Sequence, residues 1–143
     1  MLGALAGAVA VAADALGAHL LRATLSEAAM DSYETGVRYL LLHAVLLVAL
    51  GSGVVQSRLR WPWRLSMLGI LIGTCLFSGG LMLWTTQGWA WARACAPWGG
   101  SVLILSWLGL ALSALLCWNQ RPDEVVGRSG PHGAGLSHGS LES

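Results

Sequence analysis

The sequence predicts an all-α polytopic membrane protein with four transmembrane helices and a short interfacial amphipathic helix. Of its 143 residues, 55% are apolar and only 10% are charged, whereas a soluble domain usually carries about 25% charge. Four long apolar runs lie between Met1 and Trp118, and of the eight arginines and seven acidic residues only Asp14 falls inside one. Seven of the eight tryptophans flank these runs, as amphipathic rings at the headgroup level do.

The four runs have the length and composition of membrane-spanning helices. About 20 apolar residues at about 1.5 Å each cross a bilayer, and only a helix satisfies its own backbone hydrogen bonds there. We therefore predict spans over residues 1–21, 39–55, 65–86 and 98–118, within one transmembrane domain of residues 1–118. A cleaved signal peptide is the alternative for the first span, but no basic residues precede it, so we favour a retained helix.

The segment between the first two spans predicts an interfacial helix over residues 26–38. Ser26 is a candidate N-cap, with Leu25 and Met30 placed as a hydrophobic staple around it. Glu34 stands four residues before Arg38, which is a favourable surface pair. Apolar side chains recur at helical spacing in Met30, Tyr33, Val37 and Leu40. One apolar stripe of this kind favours a helix lying in the plane of the membrane surface.

Arginine positions predict the orientation, because basic residues are retained on the cytoplasmic side. The side that holds both termini carries Arg58, Arg60, Arg64, Arg121 and Arg128. The opposite side carries Arg22, Arg38 and Arg93. We therefore expect both termini in the cytoplasm.

Residues 119–143 predict a disordered cytoplasmic tail. Eleven of these 25 residues are Gly, Ser or Pro, which leaves too little apolar surface to bury. His132 and His138 lie in this tail without acidic residues between them, so we do not interpret them as a metal site.

The sequence contains no recognisable catalytic or cofactor motif. The chain has no lysine for a phosphate-binding loop, and its three cysteines are too far apart for a typical metal pair. Ser78 precedes Gly79 as in intramembrane serine proteases, but Leu76 stands where such enzymes need a glycine. We predict a protein that is not an enzyme, has no cofactor or metal, and resides in the lipid bilayer without a nucleic-acid partner.

Polar side chains at matching depths predict a candidate polar layer. Counting about 1.5 Å per residue, Asp14 lies about 10 Å inside span one and His43 about 6 Å inside span two. A charge at such depth costs about 2.5 to 3.5 kcal/mol, so we expect Asp14 to face the other helices and find a donor or remain protonated. The complete candidate layer is Asp14, His19, Arg38, His43, Ser78 and Ser106. We favour a structural layer over an ion or proton site.

Small residues recur at four-residue spacing, which allows close helix approach in lipid. Examples are Gly3 with Gly7 and Gly69 with Gly73, and a further stripe is formed by Ala4, Ala8 and Ala12. We interpret them as contacts within the four-helix bundle in preference to a homodimer interface.

Several short stretches together resemble one known family. They are Gly17-Ala18-His19, Thr35-Gly36-Val37-Arg38-Tyr39 with His43-Ala44, Leu76-Phe77-Ser78-Gly79, and Pro97 with Gly99-Gly100. Their order and spacing, from Gly3 to Trp118, resemble domain of unknown function family 423, which is similar to the transmembrane protein 256 group. The resemblance implies a small four-helix protein of the bacterial inner membrane and no established activity, so it implies no catalytic residue. Asp14 and the tail depart from the family pattern.

Two hypotheses of function follow from these features. The first is a non-enzymatic subunit, or an assembly or interaction partner, of a membrane complex; its partners are other membrane proteins or a second copy. The alternative is a small oligomeric transporter or channel that uses the polar layer around Asp14 and His43. A membrane enzyme would need a nucleophile and a base, which the sequence does not place together.

Overall fold

Four long helices account for almost all of the described chain. The computed structural model describes residues 1–52 and 60–118. The predicted disordered tail, with His132 and His138, lies outside the described residues, as do Arg58, Arg121 and Arg128. The helices are α1 (Leu2–Leu16), which continues into a π-helical turn (Gly17–Leu21), α2 (Glu27–Gly51), α3 (Arg60–Gln87) and α4 (Ala90–Trp118).

Each helix is long and apolar enough to cross a membrane. The four candidate spans cover Leu2–Leu21, Glu27–Gly51, Trp61–Gln87 and Ala90–Leu116. The prediction of an all-α protein with four spanning helices is therefore confirmed.

Helix α2 contains two segments that the sequence predicts as separate helices. The predicted interfacial helix, residues 26–38, and the predicted second span, residues 39–55, meet in one continuous helix, Glu27–Gly51. Ser26 is its N-cap, and its hydroxyl accepts a hydrogen bond from the Ala29 N–H at 3.4 Å. Three of the four side chains in the predicted apolar stripe are buried against α1, and Leu40 is half-buried. The core cluster at this contact is Ala13, Met30, Tyr33 and Val37.

Helices α3 and α4 form a hairpin with a two-residue turn. Gly88 ends α3 with φ of 70°, a left-handed conformation that glycine adopts without strain, and its N–H donates to the Trp84 carbonyl at 2.9 Å. Helix α4 begins eight residues before the predicted boundary at Trp98 and includes Pro97. Proline is tolerated within membrane helices because neighbouring groups re-satisfy the freed backbone.

The backbones of consecutive helices pack against each other. Backbone contacts join α1 to α2, α2 to α3 and α3 to α4, and within residues 1–52 and 60–118 they do not join α1 to α3 or α4. Glycines form the closest approaches: a Cβ at Gly3 would lie 2.8 Å from the Val48 nitrogen, and one at Gly73 would lie 3.1 Å from the Gly99 carbonyl oxygen. Ala4, Ala8 and Ala12 are exposed, so α1 has a packed side and a free side.

Candidate functional site

The six residues of the predicted polar layer lie at separate contacts between helices. Asp14 and Arg38 line one groove between α1 and α2, His43 lines another that reaches α4, and Ser106 lines a third between α3 and α4. Ser78 is buried where α3 meets α2, and His19 is exposed on the π-helical turn. The structure thus brings Asp14 together with Arg38, and it places His43 in a different groove.

The groove between α1 and α2, here named the Asp14–Arg38 groove, has a volume of about 420 Å³. Its charged lining consists of Asp14, Arg22, Glu34 and Arg38. Arg22 donates from Nη2 to Glu34 Oε1 at 3.0 Å, which forms an ion pair across the rim. Asp14 and Arg38 are both exposed and form no ion pair with each other or with another charged residue in the described part of the chain.

Tyr33 forms the floor of the Asp14–Arg38 groove. Its hydroxyl donates to the Ala13 carbonyl oxygen at 2.8 Å, and its side chain is buried. Gly17 makes this position possible, because a Cβ there would lie 2.8 Å from the Tyr33 ring carbon Cε1. Gly17 also begins the π-helical turn, a feature often found at functional sites. The glycine and the turn therefore determine how closely α1 and α2 approach at this end.

His43 connects α2 to α4 through Nε2, and its Nδ1 forms a hydrogen bond within α2. It is only 6% exposed, with Nδ1 2.8 Å from the Tyr39 carbonyl oxygen and Nε2 3.3 Å from Trp107 Nε1. An indole N–H can only donate and a carbonyl oxygen can only accept. Nε2 is therefore the acceptor, and Nδ1 carries the proton of a neutral imidazole. Both hydrogen-bonding positions of the ring are occupied.

The two serines of the predicted layer contribute to helix packing. Ser106 donates to the Val102 carbonyl oxygen at 2.7 Å, and its side chain stands where a Cβ on Gly69 would be. Ser78 is 1% exposed, and its hydroxyl has no hydrogen-bond partner among the described residues. The Ser78 carbonyl oxygen approaches Gly36 so closely that a Cβ there would be 3.2 Å away.

Sequence reasoning missed the partners of several polar side chains. It paired Glu34 with Arg38, whereas Glu34 pairs with Arg22. The eighth tryptophan, Trp107, lies in the middle of the predicted span 98–118, and that unusual depth for a tryptophan was the available signal for its bond to His43. Within residues 1–52 and 60–118, no three His, Cys, Asp or Glu side chains are close enough to hold a metal ion.

Comparisons with known proteins agree with this architecture. The family described as protein of unknown function (DUF423) matches residues 13–100. A UPF0382 membrane protein of Staphylococcus haemolyticus is 33% identical over 115 residues, which cover 79% of this chain and 91% of the relative. A UPF0382 membrane protein of Haemophilus influenzae is 32% identical over 108 residues, which cover 76% and 86%.

The name of a third relative specifies the inner membrane. The UPF0382 inner membrane protein YgdD of Escherichia coli is 30% identical over 115 residues, which cover 78% of this chain and 85% of the relative. No solved structure matches the chain. The family match, the relatives and the four apolar helices agree that this chain belongs to DUF423, a family of membrane proteins of unknown function.

Proposed function

We propose that this protein is a non-enzymatic component of a larger assembly in the bacterial inner membrane. The observation that carries the proposal is the one-sided packing of α1, whose backbone approaches that of α2 and, in the described part of the chain, not that of α3 or α4. A spanning helix that is packed on one side presents its outer face to lipid or to another helix. The location is supported by the inner membrane relative of Escherichia coli.

The outer face of α1 is suited to a second helix. The side of α1 that packs against α2 carries Gly3, Ala10 and Ala13. The opposite side of α1 exposes Ala4, Ala8 and Ala12. Lipid tails are as apolar as leucine, so helices in a membrane associate through close packing at small residues and not through burial of apolar area. The free side of α1 therefore offers close approach to a partner at little cost.

Ala8→Phe is expected to disrupt the assembly and leave the fold intact. The phenyl ring would hold a partner helix away from α1, while Ala8 faces away from α2 and contributes nothing to the core. The measurement is the size of the native particle after extraction in a mild detergent. Val9→Phe is the control, because Val9 is 56% exposed on another side of the same helix. A particle of monomer size for the unmodified protein would contradict the proposal.

The alternative, a small oligomeric transporter or channel, receives less support from the site. A proton or ion path needs polar groups that communicate, whereas Asp14 and His43 line different grooves and both nitrogens of His43 are occupied. Proton or ion flux in liposomes, together with a homo-oligomer, would favour this alternative over a structural role.

The orientation with both termini in the cytoplasm is part of the proposal and has its own test. Cys95 lies near the α3–α4 turn and is partly exposed, so we expect it on the non-cytoplasmic side. In a variant with Cys75 and Cys117 replaced by serine, a membrane-impermeant thiol reagent should label Cys95 in spheroplasts. Labelling only after lysis would reverse the orientation.

A further inference from the structure

We propose that the Asp14–Arg38 groove binds the headgroup of a phospholipid that carries a primary ammonium group, as phosphatidylethanolamine does. Arg38 contacts the lipid phosphate and Asp14 accepts hydrogen bonds from the ammonium group. This inference concerns the flank of α1 that faces α2 and is independent of the association face at Ala4, Ala8 and Ala12.

Two charges in the Asp14–Arg38 groove lack a compensating side chain. Asp14 and Arg38 line the groove and are exposed, yet neither has an ionic partner among the described residues. An uncompensated charge within a bilayer is energetically costly. The rim pair does not supply the missing partner, because Arg22 and Glu34 neutralise each other at 3.0 Å. A ligand with one positive and one negative group compensates both remaining charges at once.

The backbones of Asp14 and Arg38 lie at nearly the same depth in the membrane. Gly17 lies against Tyr33, and Gly3 lies against Val48, so α1 and α2 are antiparallel. Asp14 is three residues deeper than Gly17, and Arg38 is five residues deeper than Tyr33. At about 1.5 Å per residue, the two backbones are within about 3 Å of one level. The phosphate and ammonium groups of one phospholipid headgroup are only a few bonds apart, so a single headgroup reaches both side chains.

The lining of the groove also suits a lipid. Below the charged residues it continues along the apolar side chains of Ala10, Val11 and Leu41, which suit an acyl chain. Val11 is 62% exposed and Leu41 is 42% exposed, so the groove opens sideways into the bilayer. A lipid can enter from the membrane without crossing the protein, which favours a lipid over a water-soluble phosphate compound.

Lipid retention measured by native mass spectrometry tests the assignment. The full chain is purified in a mild detergent and offered dioleoyl phosphatidylethanolamine or dioleoyl phosphatidylcholine at equal concentrations. The choline headgroup has the same phosphate but no N–H to donate to Asp14. Charge-assisted hydrogen bonds contribute about 1.5 to 3 kcal/mol, so we expect the unmodified protein to retain the ethanolamine lipid about tenfold better.

Two variants separate the two contacts. Asp14→Asn replaces a charged acceptor by a neutral one and should reduce the preference for the ethanolamine lipid severalfold, and Arg38→Gln should lower the retention of both lipids by about tenfold. Arg93→Gln is the matched control, because the Arg93 guanidinium lies 4.9 Å from the centroid of the Trp84 ring, outside this groove. Unchanged melting temperatures without added lipid would show that the variants are folded. The comparison of the two lipids on Asp14→Asn remains valid even if Arg38→Gln does not fold.

Four results would each overturn the proposal. The first is equal retention of both lipids by the unmodified protein, and the second is an undiminished preference for the ethanolamine lipid in Asp14→Asn. The third is a loss of retention in Arg93→Gln as large as in Arg38→Gln. The fourth is binding of water-soluble phosphoethanolamine as tight as that of the ethanolamine lipid.

Discussion

Gly99→Ala is expected to separate α3 from α4 and to prevent accumulation of the folded protein in the membrane. A Cβ at this position would overlap the Phe77 nitrogen and would lie 2.9 Å from both the Gly73 carbonyl oxygen and the Leu76 carbonyl carbon. All three atoms belong to the α3 backbone, so a side-chain rotation cannot relieve the overlap. Overpacking costs about 1 to 3 kcal/mol where side chains can adjust, and we expect at least the upper end of that range here.

The neighbouring glycine provides the control for this prediction. A Cβ at Gly100 would lie 3.7 Å from the Phe77 ring, which is an ordinary contact. Alanine is favoured over glycine in a helix by about 1 kcal/mol, so Gly100→Ala should maintain or raise the melting temperature in detergent. Equal melting temperatures for Gly99→Ala and Gly100→Ala would show that α3 and α4 do not pack as described.

The four-span architecture could be predicted because it depends on properties that act along a single segment. A bilayer of fixed thickness requires an apolar run of fixed length, and a count along the chain detects that run. The N-cap at Ser26 is equally local, since its acceptor and the Ala29 donor are three residues apart. Predictions of this kind need no knowledge of the neighbouring helices.

The continuity of α2 could not be predicted from the sequence, for a physical reason. An apolar stripe at Met30, Tyr33 and Val37 fits a membrane surface or the face of another helix equally well, since both environments are apolar. The structure places this stripe against Ala13. Only the close approach that Gly17 permits distinguishes the two outcomes, and that approach depends on the partner helix.

The depth of a polar residue in the membrane does not determine which neighbouring helix its side chain faces. Counting residues places Asp14, His43 and Ser106 at similar levels, but it says nothing about the direction in which each side chain points around its helix axis. In water, hydrophobic periodicity would supply this direction. In a membrane the lipid is as apolar as the protein interior, so the periodicity is weak and side chains at one level can occupy different grooves.

His43→Leu is expected to lower the melting temperature in detergent by weakening the contact between α2 and α4. The substitution removes the acceptor of the Trp107 indole N–H, which lies 3.3 Å from His43 Nε2. An unsatisfied donor in an apolar environment costs about 1 to 3 kcal/mol. His19→Leu is the matched control, because His19 is exposed on the π-helical turn and its replacement should change the melting temperature little.

A double-mutant cycle shows whether the loss of stability comes from the hydrogen bond between His43 and Trp107. Trp107→Phe removes the donor and keeps an aromatic ring, so His43→Leu should destabilise the Trp107→Phe protein less than it destabilises the unmodified one. Residues in direct contact usually show a coupling of about 0.5 to 3 kcal/mol. Tyr39 stacks on His43 with ring centroids 5.8 Å apart. Trp107→Phe leaves this contact in place, so its loss on His43→Leu cancels from the cycle. Strictly additive effects of the two substitutions would mean that His43 and Trp107 do not form this bond in the membrane.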